Sequence, residues 1–248
     1  GSRLLVAHGH PVEEVPAFAQ RWGAEALFTG DDYEPHAQAR DRAVAKELSA
    51  LGCEFLSIKD HVVFHKDEVL NGFGEPFKVF TPFMKAWRFR LGPADYVEHR
   101  PDFSRLARFD ETDERLHLPS LDRLGFSEGR PWLEPGEQAA SARLESFLSK
   151  LPDYGKHRDM VSAEATSGLS AHLRFGTISV RECVRAALSR PSSGSEKWLN
   201  EIVWREFYQS ILFHYPQVVE RSFKPQFDQI EWPGEEDHYQ AWEMGQTG

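Results

Sequence analysis

The spacing of apolar residues predicts alternating strands and helices in the first part of the chain. Short apolar runs of the kind that form buried strands occur at residues 3–8, 26–29 and 54–58. Between them, residues 13–22 and 36–51 place apolar side chains at the three- and four-residue intervals of a helix. Strands separated by helices of this length favour a parallel sheet, so we predict an α/β N-terminal layer with an incomplete, Rossmann-like sheet.

Proline and glycine then recur through residues 71–135 and interrupt any long periodicity. A link of this length with little regular structure is unusual inside a compact domain. We therefore predict three parts: an α/β domain over residues 1–78, an ordered connector over 79–135, and a second domain over 136–248.

Helical patterns dominate this second domain, and they predict helices over residues 139–151, 166–175, 179–189 and 196–214. Gly176 suits the end of the second helix, and Pro216 follows the end of the last one. Ser179 and Glu182 have the spacing of a capping box. The expected fold class is thus an α/β N-terminal layer followed by an all-α, C-terminal domain.

Composition narrows the functional classes. The chain has 248 residues, 40% of them hydrophobic, and a net charge of -10. This charge argues against a protein whose whole surface is basic and binds nucleic acid. Residues 150–205 nevertheless hold nine Lys or Arg against six Asp or Glu, so a polyanion can dock there.

Cys53 and Cys183 are too far apart for a Cys-x-x-Cys pair and are expected to be buried thiols. No run approaches the roughly 18 apolar residues of a membrane helix, so a cytoplasmic protein is expected.

The first segment with candidate chemistry contains Thr166, Ser167 and Ser170. Three hydroxyls near the predicted start of a helix can donate to anionic oxygens, and the free backbone N–H groups there favour negative charge. These residues predict a phosphate cradle. The alternative is that Thr166 or Ser167 only caps the helix.

The second segment is a helix face that presents a carboxylate, an indole, a guanidinium and a phenol. These groups belong to Glu201, Trp204, Arg205 and Tyr208, which helical spacing places side by side. Such a set can stack a planar base, hydrogen-bond its edge and neutralise a phosphate. The alternative is an aromatic core helix with Glu201 and Arg205 as an exposed ion pair.

Other signals are weak. His61 and His65 flank a run that we expect to be extended, so no metal site is predicted. Residues 72–74 read Gly-Phe-Gly without the third glycine of a dinucleotide fingerprint. The sequence has no Walker loop, Gly-x-Ser-x-Gly elbow or Cys/His nucleophile pattern, which argues against a hydrolase.

Taken together, the two segments resemble the flavin domain of the photolyase and cryptochrome family. Residues 166–179 are similar to the serine-rich motif of that family, and residues 204–208 match its Trp-Arg-Glu-Phe-Tyr motif. Residues 78–87 resemble the linker signature of the bacterial dimer photolyases. The resemblance extends over the whole chain and is nearest to the bacterial class I cyclobutane pyrimidine dimer photolyases.

The resemblance implies a role for each matching residue. The FAD phosphates and ribitol would be held by Tyr154, Thr166, Ser167, Gly168, Leu169 and Ser170. The flavin side of the long helix would be lined by Trp198, Glu201, Arg205 and Tyr208. The extruded dimer would face Glu201 and Trp204, the catalytic pair, and the DNA would be contacted by Arg158, Glu201, Trp204 and Arg205.

The implied activity is that of a deoxyribodipyrimidine photo-lyase. Reduced FAD absorbs light, donates an electron to a pyrimidine dimer in damaged DNA, and recovers the electron after the ring opens. Two other functions stay open, a cryptochrome-like FAD photoreceptor and a (6-4) photolyase. The resemblance also implies a monomer.

A second, antenna chromophore of folate or deazaflavin type is also implied, and its identity stays open. Folate-using relatives carry Asn-Glu before Arg-Ala-Arg-Asp, whereas this chain has His36 and Ala37 there. Family members have further residues at both ends. We therefore expect a chain truncated at both ends, with both domains incomplete, that is inactive on its own.

Overall fold

The computed structural model describes residues 4–107, 116–127, 129, 132–231 and 233–247. The chain consists of two compact units, and the boundary between them follows His214. The first unit contains an α/β layer and a helical layer, each with its own hydrophobic cluster.

The α/β layer consists of two parallel strands and the helices that precede and connect them. Strand β1, Ala26–Gly30, pairs with β2, Glu54–Ile58, and Gly30 lies opposite Ile58. Helices α1, Pro11–Trp22, and α2, Pro35–Ala50, contact each other, and α2 also contacts β2. A small core fills the space between them, so the predicted α/β layer is confirmed; its buried members are Ala19, Val44, Leu48 and Cys53.

The strand predicted at residues 3–8 is wrong. Residues 4–8 have no regular secondary structure, and Arg3 lies outside the described residues. The Val6 N–H donates to the carbonyl of Leu116 at 3.0 Å. A strand requires a ladder of such bonds to a neighbouring strand, and within the described residues no strand lies beside this segment.

The region predicted as a connector contains a helix that sequence reasoning missed. Helix α3, Phe80–Arg90, buries Phe83 and Trp87 completely in the main hydrophobic cluster. The two aromatic residues are four positions apart and therefore lie on one helix face. Pro82 does not break the helix, because proline is tolerated in the first turn. The three-part domain division stays a prediction.

The four predicted helices of the helical layer occur in the predicted order, with boundaries that differ by a few residues, and the structure adds a short helix between the first two. The helices are α4, Glu137–Leu148; α5, Tyr154–His157; α6, Ser170–Phe175; α7, Val180–Leu188; and α8, Ser193–His214.

Three details explain these boundaries. Helix α6 begins at Ser170 and not at residue 166, since Gly168 has a positive φ of 62° that interrupts helical geometry. Gly176 adopts the left-handed conformation at the end of α6. The Ser179 hydroxyl accepts a hydrogen bond from the Arg181 N–H and caps α7, but the predicted capping box with Glu182 is not formed among the described residues.

Helix α8 runs through the main core, with one face packed against α3, α5 and α7. The second unit contains a short helix, α9, Glu236–Glu243, in which the rings of Tyr239 and Trp242 lie 5.9 Å apart. None of the helices in the described parts of the chain is both long and apolar enough to cross a lipid bilayer.

Candidate functional site

Helix α8 carries five of the predicted site residues, and they differ in exposure. Trp198 is buried among core residues, Glu201, Trp204 and Arg205 are half-buried, and 62% of Tyr208 is exposed. Burial thus decreases along this face of the helix, and the exposed end offers the aromatic and polar groups to a ligand.

Four of the predicted residues form one group around Arg158. The Arg158 Nη1 atom donates to Glu201 Oε1, and its guanidinium lies 5.4 Å above the Tyr154 ring. The hydrogen bond to Glu201 is the main reason that the pKa of Arg158 is raised, and burial raises the pKa of Tyr154. Phe147 contacts both Tyr154, with ring centres 5.7 Å apart, and Trp198, at 5.0 Å. The structure therefore brings Tyr154, Arg158, Trp198 and Glu201 together.

Trp204 and Tyr208 form a second group with an aromatic residue from α3. The Phe80 ring stacks on the Trp204 indole at 3.6 Å and an interplanar angle of 7°. Tyr208 lies 5.5 Å from the same indole at an angle of 25°. Stacking on both neighbours fixes the orientation of the indole.

Residues 166–170 form the loop that leads into α6. Thr166 and Ser170 are exposed, and Leu169 is buried in the core. The Ser167 hydroxyl accepts a long hydrogen bond, 3.4 Å, from the Leu169 N–H. Leu169 is the N-cap of α6 and no described side chain caps this helix, so the simpler interpretation, a helix cap by Thr166 or Ser167, is wrong. A cavity of about 450 Å³ lies beside Thr166, Ser167 and Gly168. The loop thus presents hydroxyl groups to a space large enough for a ligand.

Arg205 extends from the same helix toward the α/β layer. Its Nη1 atom donates to the carbonyl of His61 at 2.6 Å, and burial lowers the pKa of its guanidinium. The alternative ion pair with Glu201 is not formed, since Glu201 pairs with Arg158. Arg205 and Ser170 line a common cavity of about 130 Å³, which joins the serine-rich loop to α8.

Glu206 is the residue that sequence reasoning missed. Its side chain is almost completely buried and accepts three hydrogen bonds: from the Val63 N–H at 2.7 Å, the Phe64 N–H at 2.9 Å and the Trp87 Nε1–H at 2.6 Å. Burial raises the pKa of Glu206 to about 7, although these donors and the adjacent Arg205 favour the charged form. The signal was present in the sequence, because a carboxylate on the buried face of α8 requires donors around it.

The exit segment of β2, residues 60–64, is held by side chains of the helical layer at every residue. Arg181 of α7 donates to the carbonyls of Asp60, at 3.2 Å, and Val62, at 2.9 Å. Arg205 binds the carbonyl between them, and Glu206 binds the next two N–H groups. Since no strand in the described parts of the chain pairs with this segment, these side chains satisfy its backbone and fix α8 against the α/β layer.

A metal centre is not evident in the residues that the structure describes: their His, Cys, Asp and Glu side chains gather in no group of three or more. His65 instead bonds to Asp31 through Nε2.

The comparisons with known proteins agree with this architecture. A family model described as DNA photolyase matches residues 1–101, and one described as FAD binding domain of DNA photolyase matches residues 198–248. A deoxyribodipyrimidine photo-lyase of Synechococcus sp. is 35% identical over 100% of this chain and 54% of its own length.

Two solved structures have the same fold. A bacterial class III photolyase from Agrobacterium tumefaciens is 27% identical and superimposes with a TM-score of 0.81, over 98% of this chain and 52% of its own. A cryptochrome of Synechocystis sp. superimposes with a TM-score of 0.82 over 100% of this chain and 54% of its own, and at 23% identity this likeness shows the fold alone.

The chain therefore spans about half the length of the proteins that it matches. Both family models describe parts of one family, and they match the two ends of the chain in the order in which the α/β and helical layers occur. On this evidence, the chain belongs to the photolyase and cryptochrome family.

Proposed function

We propose that this chain serves the light-driven repair of cyclobutane pyrimidine dimers in DNA, by electron transfer from reduced FAD. The observation that carries the proposal is the Glu201–Trp204 face of α8, where Arg158 holds the carboxylate and Phe80 holds the indole. A fixed carboxylate beside a fixed aromatic plane suits an extruded base, because one group bonds its edge and the other stacks on its face.

The same residues explain how a dimer would be selected. A dimer stacks and pairs badly in the duplex, so extruding it costs less than extruding a normal base. Trp204 would then cover the face of the dimer, and Glu201 would accept hydrogen bonds from its edge. Arg158 keeps Glu201 in place and adds positive charge for the DNA backbone.

The chemistry of the site fits FAD. Thr166, Ser167 and Ser170 supply hydroxyl donors for phosphate oxygens, and Gly168 lets the backbone approach closely. We propose that these residues, with Leu169, Tyr154, Trp198, Glu201, Arg205 and Tyr208, hold the cofactor. Bound FAD would supply the electron transfer. Arg205 donates one N–H to the carbonyl of His61, and the other donors of its guanidinium would serve the cofactor.

We further propose a cytoplasmic monomer with a second, antenna chromophore. Both cysteines are free and buried, which suits a reducing compartment. A photoreceptor of the cryptochrome type is the main rival, and a (6-4) photolyase is another. Repair of cyclobutane dimers is favoured because a pure sensor needs no pocket that pairs a carboxylate with an indole.

Binding of damaged DNA tests the proposal. The chain, expressed within the longest reading frame that encloses it, is titrated with a dimer-containing oligonucleotide and with the undamaged duplex. Trp204→Ala should weaken binding of the damaged oligonucleotide by about 1 to 3 kcal/mol, because one stacking contact is lost. Flavin content should not change. Trp242→Ala is the matched control, since Trp242 is an exposed indole in the second unit.

Equal affinity of wild type and Trp204→Ala for the damaged oligonucleotide would show that Trp204 does not contact the bound lesion. Equal affinity of the wild type for damaged and undamaged DNA would count against repair. If flavin is bound in that case, the result supports a photoreceptor.

A further inference from the structure

One face of the Trp204 indole is covered by another residue of the protein. The Phe80 ring lies parallel to the indole, at an interplanar angle of 7°, and the two ring centres are 3.6 Å apart. Stacked aromatic side chains are usually offset, with centres about 4.5 to 7 Å apart, so this short distance places the phenyl ring directly over the indole. The Tyr208 ring is 5.5 Å away and offset, and 62% of Tyr208 is exposed. A base can therefore stack on only one face of Trp204.

Phe80 is held in this position by the helix that carries it. It is the first residue of α3, and Phe83 and Trp87, three and seven positions later, are buried in the main cluster. These spacings place all three side chains on one side of the helix. The Trp87 Nε1–H also donates to the buried carboxylate of Glu206 at 2.6 Å. Helix α3 is thus anchored to α8, and this anchor keeps the Phe80 ring on Trp204.

An aromatic side chain with two open faces can bind DNA in two ways. It can insert as a wedge between stacked base pairs, which uses both ring faces and works on undamaged DNA, or it can stack on one extruded base. Insertion of Trp204 together with Phe80 requires a gap for two rings, and the wider gap costs more stacking free energy. The covered face therefore disfavours insertion, and stacking on an extruded base is the mode that Trp204 retains.

We propose that Phe80 determines the specificity of Trp204, because it blocks one face of the indole against insertion into undamaged DNA and leaves the other face for the extruded dimer. The inference deepens the proposed function and rests on it, since the extruded base is taken to be the pyrimidine dimer. Phe80 acts through Trp204 and is therefore a positioning residue. Specificity is a difference between two affinities, and weaker binding of the competitor raises it as an added contact to the lesion does.

The DNA affinities of matched variants test this role. The chain, expressed within the longest reading frame that encloses it, is titrated with a dimer-containing oligonucleotide and with the same duplex undamaged. Phe80→Leu should bind the undamaged duplex more tightly, by about fivefold or more, because a second indole face becomes open to bases. Phe80→Tyr keeps the ring and should bind both as the wild type does. The control is Phe89→Leu, since Phe89 is 93% exposed on the same helix, and it should change neither affinity.

Dependence on Trp204 separates this role from a general effect on folding. In a Trp204→Ala background, Phe80→Leu should leave the affinity for the undamaged duplex unchanged, because the indole that it uncovers is gone. An equal urea midpoint verifies that the variants fold. Phe80→Met, which also lacks a ring, replaces Phe80→Leu if the midpoint of the latter falls.

Two results overturn the inference and leave the proposed function intact. The first is unchanged or weaker binding of the undamaged duplex when the Phe80 ring is removed. The second is a gain in affinity that persists without Trp204. A wild type that does not prefer the dimer-containing oligonucleotide counts against the proposed function instead, and the undamaged duplex still decides whether Phe80 blocks insertion.

Discussion

Replacing the buried carboxylate of Glu206 should destabilise the chain in a pH-dependent way. Glu206→Met keeps a similar, unbranched side chain but removes the acceptor for three buried donors, the N–H groups of Val63, Phe64 and Trp87. An unpaired buried donor costs about 1 to 3 kcal/mol, so the three together cost about 3 to 9 kcal/mol. This is a large fraction of the total stability of a domain.

The pKa of Glu206 determines how this cost changes with pH. Because burial raises the folded-state pKa from 4.5 to about 7, the stabilisation from Glu206 is complete below 4.5 and is lost as the pH rises through 7. Between pH 5 and pH 8, the wild type should lose about 2 to 3 kcal/mol through this group. Glu206→Met has no group to ionise here, so its deficit should be largest at pH 5 and smaller by that amount at pH 8.

Urea unfolding of the 248-residue chain at both pH values measures the two effects. The control is Glu196→Met, which removes an exposed carboxylate of the same helix; its pair with Arg88 should contribute less than about 1 kcal/mol at either pH. Hydrogen exchange at the Val63 and Phe64 amides should accelerate in Glu206→Met. A deficit below about 1 kcal/mol at pH 5, or an equal deficit at both pH values, would refute our account of Glu206.

Two further predictions concern the loop and the core. Ser167→Asp should lower FAD occupancy, because an added carboxylate repels phosphate at the cavity beside residues 166–168; riboflavin affinity should not change, and a fully FAD-loaded variant would contradict the placement. Burial raises the pKa of the Cys183 thiol to about 12, so Cys183 should resist a thiol-reactive reagent at pH 8 until the chain unfolds. Rapid modification of the native chain would show that this part of the core opens easily.

Local sequence signals predicted most elements of the fold correctly, but the strand that they predicted at residues 3–8 is wrong. The alternating pattern around β1 and β2 was sufficient because both strands pair with each other. Residues 4–8 have similar apolar content, yet apolar content alone does not provide a neighbouring strand. Helix α3 was missed because Pro82 and the surrounding glycines suggested a break, whereas its position in the first turn makes that proline harmless.

The sequence also predicted only part of the candidate site. Helical spacing placed Glu201, Trp204 and Tyr208 along one side of α8, but it could not reveal the partner of each residue. The partners of Glu201 and Trp204 come from distant positions, Arg158 and Phe80. For Arg205 and Glu206, the partners are backbone groups of the exit segment of β2, which no side-chain pattern identifies.

Light-dependent repair is the most direct test of the central claim. The chain is expressed within the longest reading frame that encloses it, reduced, and mixed with an oligonucleotide that contains one cyclobutane dimer; loss of the dimer is then measured in blue light and in the dark. Our account predicts loss of the dimer under illumination only, and a much slower loss in Trp204→Ala. Flavin binding without any loss of the dimer in the light would contradict repair and favour a photoreceptor.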